Sequence, residues 1–203
     1  MPKTTPAPIP HPQREALYQI MAARRSIRKF KPDSVPRAVI ERIIEAGTQA
    51  PSGKNRQNWR FYVLTGQKRD EYVALSQKTW LGVKDVLVKR LKPSLYAFTE
   101  RFFFTLGDAP VVILCYSLND DDERYLTSIG SGYMAVENIN LAAIAEGLGC
   151  CTMGAPLEIE AEVNAFIGID HAQGLQLLCG IAIGIPDHDP PKAARQLGVV
   201  TWL

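Results

Sequence analysis

Arg24-Arg25-Ser26-Ile27-Arg28-Lys29-Phe30 is the stretch from which the rest of the chain is read. Three guanidiniums and one hydroxyl stand within five residues, with Ile27 and Phe30 as apolar anchors. Forked Arg donors suit phosphate best, because its oxygens accept two parallel N–H bonds. A short basic run also describes a solvated surface, and Arg25, Lys29 and Lys31 fit that description. The meaning of the cluster therefore rests on a second polar stretch, Ala50-Pro51-Ser52-Gly53-Lys54-Asn55-Arg56-Gln57-Asn58-Trp59.

Between the two stretches the pattern is helical. Leu17, Ile20 and Met21 form an apolar stripe on a helix starting near Gln13 and running toward Arg24. Asp33-Ser34-Val35-Pro36 is a helix-start signal, and Val39, Ile40, Ile43 and Ile44 give the buried face. Gly47 is expected as the C-cap. After the second stretch, Arg60 to Thr65 reads as a strand ended by Gly66.

Further along, residues 67–106 are helical in pattern with a break near Pro93. Phe98, Phe102 and Phe103 in this segment fit either plain core or the wall of an apolar pocket. Pro110 to Tyr116 reads as a buried strand. Residues 119–123 read as a solvated acidic loop. A long helix is expected from Thr127 to Glu146, with small residues suited to the centre of the fold or a dimer interface. Gly147 to Gly154 reads as a Gly-rich loop and Pro156 to Ile167 as an amphipathic helix. Leu175 to Ile185 reads as a third strand, Pro186 to Lys192 as a rigid turn, and Val199 to Leu203 as a terminal strand. Three or four strands and five or six helices without regular alternation argue for an α+β layered fold. Residues 1–12, with five prolines, read as a non-helical arm ahead of a single domain over 13–203.

The bulk properties exclude several classes. The 203 residues are 46% hydrophobic and 22% charged, which supplies a core for one domain. A net charge of +2 gives no reason to expect a nucleic-acid or membrane partner. No apolar run is long enough to span a bilayer, and no signal peptide is visible. Cys115, Cys150, Cys151 and Cys179 lie in apolar surroundings without metal-ligand spacing, so reduced thiols and a cytoplasmic location are expected. Cys150 and Cys151 fit packing better than redox chemistry. No G-x-G-x-x-G, phosphate-binding P-loop or nucleophile elbow is present. His11, His171 and His188 have no evident catalytic partner. Chemistry, if present, is expected to belong to a cofactor.

The order of the motifs resembles the nitroreductase family of FMN-dependent oxidoreductases, from about Gln13 to Arg195. The resemblance rests on Arg-Arg-Ser-x-Arg at 24–28, Pro-Ser-x-x-Asn-x-Gln-x-Trp at 51–59, the glycine-bearing segment after the long helix, and the basic pair near the end. It implies a central, mostly antiparallel sheet flanked by helices in an intertwined homodimer. It also implies FMN at the interface, with Arg24 on the phosphate, Ser26 on phosphate or ribityl, and Arg28 at the N1/C2 edge. Arg25 is carried as a candidate with this cluster. Pro51, Ser52, Asn55 and Gln57 would come from the other subunit; without the family match, Ser52 and Asn55 are equally plain turn residues. Thr152, Met153, Gly154 and Ala155 would pack on the flavin near N5, and Lys192 or Arg195 would complete the phosphate site.

Three departures from the family pattern stand out. Asn58 replaces a common Pro, which is expected to loosen the turn. The terminal basic pair is spaced Lys192-Ala-Ala-Arg195. Phe102 and Thr105 fall where some relatives carry Asn and Lys. The activity implied is ping-pong hydride transfer from NAD(P)H through flavin N5 to a small nitroaromatic or quinone. Alternatives are a dehalogenase or flavin-fragmenting relative, and a flavin-holding or redox-sensing protein without turnover.

Overall fold

The computed structural model describes residues 9–118, 125–170 and 173–203. The helices are α1 (His11–Ala23), α2 (Arg37–Thr48), α3 (Gly66–Ser76), α4 (Lys78–Arg90), α5 (Pro93–Thr105), α6 (Tyr125–Ala145) and α7 (Glu160–Ile167). The strands are β1 (Trp59–Thr65), β2 (Val111–Leu118), β3 (Gly149–Met153) and β4 (Leu175–Gly184). They form one antiparallel sheet in the order β1-β2-β4-β3.

The sheet is buried on both faces, which explains why β2 and β4 read as continuous apolar runs. Val111, Ile113 and Cys115 of β2 face Ile40, Ile43, Val136 and Ile139 of α2 and α6. Val112, Leu114 and Tyr116 face the other way, toward Tyr72, Phe102 and Val163 of α3, α5 and α7. Two helical layers thus sandwich the sheet. Ile43 and Ile139 are fully buried between α2 and α6, each contributing about 1.5–3 kcal/mol of transfer free energy. Bidentate hydrogen bonds from Arg42 Nε and Nη2 to Glu146 tie α2 to the residue after α6.

The α+β layered class and the antiparallel sheet agree with the sequence expectation, and several local details differ. α1 begins at His11, with Pro12 in its first turn, where a missing N–H costs nothing. Gly47 is not a C-cap. It lies buried inside α2, and a Cβ there would stand 2.7 Å from Ile139 Cγ1, so it allows close approach to α6. Residues 67–106 break twice, at Gln77 as well as before Pro93. Residues 155–159 form a 3-10 turn ahead of α7.

Gly147 to Gly154 is not all loop, because Gly149–Met153 pairs with Gly180–Gly184 as β3. Residues 199–203 are exposed and have no strand partner among the described residues. The expected acidic loop at 119–123, His171 and residues 1–8 lie outside the described residues.

Candidate functional site

The basic stretch begins where α1 ends. Arg24 is the C-cap, with φ −54° and ψ 131°, and its N–H donates to Ile20 O at 3.1 Å. The chain then runs extended beside β3: Ser26 bridges Cys150, and Ile27 N–H donates to Cys150 O at 2.9 Å. Extended backbone alternates its side chains. Arg24 meets Glu137 of α6, Ile27 packs against Gly149, and Arg28 lines a cavity on the side of α3, α4 and α5. Two glycines let this segment settle closely. A Cβ on Gly149 would stand 2.8 Å from Ile27 Cγ1, and one on Gly107 would stand 2.3 Å from Arg28 O. Gly107 also has φ +65°, and its carbonyl accepts from Phe30 N–H at 2.7 Å.

The charged groups here have different partners. Arg24 Nε lies 3.3 Å from Glu137 Oε1 on α6, both side chains being part-exposed. Arg25 turns back and donates to Ala22 O at 2.7 Å and to its neighbour Arg24 O at 2.8 Å, while its buried Nε has no partner among the described residues. Arg28 is exposed. Lys29 pairs with Asp187, and this hydrogen bond holds the Asp187 carboxyl below its ordinary range. Burial pushes the Cys150 thiol up to about 12 and raises that of Cys151, with Arg28 opposing the latter. All four cysteines are free and buried, as a packing role requires.

A cavity of about 440 Å³ opens beside Arg28. Its floor is the end of β3 and the following turn, Thr152 to Ala155, and its walls come from α3, α4 and α5. Met153 is buried while Thr152 and Gly154 are exposed, the alternation of a strand end. A Cβ on Gly154 would meet nothing within 4 Å. Thr152 Oγ1 lies 3.1–3.2 Å from both polar atoms of the Asn140 amide. Phe98, Phe102 and Phe103 all line the cavity, and Phe102 is also buried in the core, so both readings of this segment apply. Thr105 is half-buried at the end of α5 and donates to Arg101 O at 3.1 Å.

The second stretch forms a tight turn elsewhere on the protomer. Lys54, Asn55 and Gln57 adopt positive φ (53°, 54° and 48°), an accumulation of left-handed conformations costly for residues with side chains. Ser52 holds the turn: its Oγ accepts from Gln57 N–H at 2.9 Å, and its carbonyl accepts from Asn55 N–H at 2.9 Å. Pro51, Asn55 and Gln57 remain exposed, with Gln57 Nε2 donating to Asn55 Oδ1 at 3.2 Å. The turn borders its own cavity of about 240 Å³ beside Thr127 and Ser131 of α6.

Asn58 does not loosen the turn. It is buried, and its Nδ2 donates to Ser117 Oγ at 2.6 Å and to Ser128 O at 3.2 Å, tying the turn to β2 and α6. Lys192 and Arg195 are exposed on the tail that follows β4. This tail starts beside Lys29, where Phe30 bridges Pro186 and His188 Nδ1 lies 3.3 Å from Lys29 O.

Sequence reasoning overlooked Glu137, Asn140 and Tyr72. Glu137 and Asn140 are polar residues three apart on α6, a spacing that puts both on one face. Tyr72 gave no such signal, since an aromatic residue on a helix usually means core.

Comparison with known proteins agrees with this geometry. Residues 21–185 match the model of the Nitroreductase family. A 4-nitrobenzoate reductase of Nocardioides sp. is 35% identical over 217 residues, covering 91% of this chain and 86% of the relative. An iodotyrosine deiodinase of Thermotoga neapolitana is 27% identical, covering 92% of this chain and 97% of the relative. The crystal structure of the FMN-dependent nitroreductase NfnB from Mycobacterium smegmatis in complex with NADPH superposes with a TM-score of 0.69 at 19% identity, covering 89% of this chain and 96% of that one. The family match takes in the basic stretch, the strained turn and all four strands, and the chain belongs to the nitroreductase family.

Proposed function

We propose that this chain is an FMN-dependent oxidoreductase that draws hydride from NAD(P)H, reduces small electron-poor acceptors such as nitroaromatics or quinones, and works as a homodimer. The observation that carries this reading is exposed Arg28 lining the 440 Å³ cavity, two residues after Ser26 bridges Cys150 of β3.

The residues present fit FMN. A guanidinium, a hydroxyl and a second guanidinium in a row form a donor set for a phosphate and a polar ring edge. The open space above Gly154 fits a neighbour that approaches the backbone closely. Bound FMN would supply the redox chemistry, hydride transfer between NAD(P)H and the acceptor. The chain's own residues bind and orient. Arg24 and Ser26 hold the phosphate end, with Lys192 or Arg195 of the tail as further cations. Arg28 places positive charge at the N1/C2 edge, where negative charge develops on reduction. Thr152 to Ala155 present strand-end backbone beneath the ring.

Pairing supplies the remainder of the site. Pro51, Ser52, Asn55 and Gln57 do not line the cavity beside Arg28, so a second copy would bring its strained turn to the flavin. The protomer also leaves apolar surface uncovered: Leu17, Tyr18 and Met21 on α1, and Leu197, Val199, Val200, Trp202 and Leu203 on the tail. β1 is an edge strand paired only with β2, and its other side can accept an extended segment. The tail of a partner is the natural occupant. The unit that pairs is one domain over 13–203.

Among the described residues no helix is long and apolar enough to cross a membrane, and no acidic, His and Cys cluster could hold a metal ion. We place the protein in the cytoplasm, where its four thiols stay reduced.

The test is direct. The purified protein is expected to be yellow, to release FMN on denaturation, and to bleach rapidly with NAD(P)H and recover on adding a quinone. A colourless preparation that takes up no FMN would sink the proposal. The deiodinase relative supports a second reading, a dehalogenase, which turnover of iodotyrosine against nitroaromatics separates. A flavin-holding protein without turnover would bind FMN but bleach slowly or not at all.

A further inference from the structure

A crevice of about 70 Å³ adjoins the 440 Å³ cavity, and Arg28, Phe98 and Phe102 line both. Lys29, Arg101 and Asp108 also line the crevice, so three cations and one carboxylate face this small space. Lys29 is already paired with Asp187. Arg101 is not held in this way. Its Nη2 stands 3.9 Å from Asp108 Oδ2, with 68% and 46% of the two side chains exposed, and such a pair contributes little. The larger cavity offers an anion nothing comparable. Among the described residues that line it, Arg28 alone carries charge at neutral pH, and its wall is mostly leucine and phenylalanine.

We propose that this crevice holds the phosphate on the nicotinamide half of the reduced donor, with Arg101 as the side chain that grips it. The proposal rests on the flavin oxidoreductase reading, in which Arg28 faces the flavin edge and the nicotinamide ring stacks on the flavin within the apolar cavity. The nearest phosphate of the donor is one ribose away from that ring. It cannot settle against leucine and phenylalanine, because burying an unpaired charge is strongly unfavourable. The crevice adjoins the cavity through Arg28 and adds the guanidinium of Arg101, a forked donor that meets phosphate oxygens in pairs. Its volume holds several waters, and so a phosphate group. Asp108 is the competitor, since its carboxylate both faces Arg101 and repels an arriving anion. The adenosine half lies beyond a further phosphate and ribose, so this contact receives NADH and NADPH alike.

The test uses FMN-loaded protein and two hydride donors that differ in one phosphate, dihydronicotinamide mononucleotide and dihydronicotinamide riboside, with flavin bleaching followed by stopped flow. In Arg101→Ala the ratio of bleaching rate constants, mononucleotide over riboside, is expected to fall about tenfold, the loss of one charge-assisted contact. In Asp108→Asn the same ratio is expected to rise about twofold to fivefold, because a competing carboxylate is removed. Asp108 has φ +66°, a conformation that asparagine accepts, so this variant keeps the backbone. Opposite signs at the two positions are not what a general loss of stability produces. A ratio unchanged in Arg101→Ala overturns the inference alone. An effect confined to NADPH over NADH moves the contact to the outer phosphate and overturns the assignment to the nicotinamide half. Loss of FMN from Arg101→Ala gives the crevice to the flavin's own phosphate and overturns the inference as well. Protein that takes up no FMN, or whose FMN neither donor bleaches, overturns the flavin reading, and this inference with it.

Discussion

At Arg24 a guanidinium stands where a helix gives way to extended chain, with Glu137 3.3 Å away. A part-exposed pair of this kind contributes only about 0–1 kcal/mol to stability. A charge-assisted bond to phosphate contributes about 1.5–3 kcal/mol. Arg24→Ala is therefore expected to weaken FMN binding by about tenfold to a hundredfold and to leave the unfolding temperature of the apoprotein nearly unchanged. Losses of similar size in both would make Arg24 a structural residue. Asn58 makes the opposite case. Its buried amide serves β2 and α6 at once, so Asn58→Ala is expected to cost about 2–3 kcal/mol in urea unfolding, with partners left unsatisfied. The sequence showed only that Asn stands where the family commonly has Pro. Its compensation lies in Ser117 and Ser128, 59 and 70 positions away, and nothing local announces them.

At the scale of elements, the segment between α1 and α2 is held by backbone rather than by side chains. Gly107 is central to this, with φ +65° and Arg28 O where a Cβ would be. Gly107→Ala is expected to destabilise the fold by about 2 kcal/mol or more and to displace Arg28, seen as a lower unfolding temperature together with weaker FMN binding. The Arg42–Glu146 clamp gives a pH-dependent counterpart. Its hydrogen bond holds the Glu146 carboxyl below the ordinary value, so its stabilisation is complete above the unfolded carboxylate pKa and is lost as pH falls through the folded one. The small gap in unfolding temperature between the parent protein and Arg42→Ala should accordingly close on acidification, and a gap that widened would contradict this.

Helices and strands with strong periodicity, such as α2, α6 and β2, were legible in the sequence to within a few residues. β3 was not, because Gly-Cys-Cys-Thr-Met is short and glycine-flanked. What makes it a strand is its ladder with β4, about thirty residues later, a long-range term that local composition does not contain.

For the whole molecule, the basic stretch and the floor of the cavity were legible as chemistry, while the wall formed by α4 and α5 was only an open alternative. Aromatic residues at helical spacing look the same whether they fill a core or border a cavity. The terminal segment carried a strand-like composition that finds no partner among the described residues of its own protomer, which the proposed dimer would explain. Removal of residues 192–203 is expected to shift the protein toward monomer in analytical ultracentrifugation and to weaken FMN retention at least about tenfold, since Lys192, Arg195 and the covering surface leave together. A truncated protein that stays dimeric and yellow would rule out this role for the tail.

In the proposed dimer, the unpaired sheet margin of one copy would receive the greasy terminal ribbon of the other. When two copies exchange ribbons reciprocally, the assembly closes at two and nothing adhesive is left. If the ribbon reached a third copy instead, the same contact would repeat without end. Dilution during refolding, and any insertion in the hinge at 186–192 that alters the ribbon's reach, should therefore decide between discrete particles and filaments, which light scattering distinguishes.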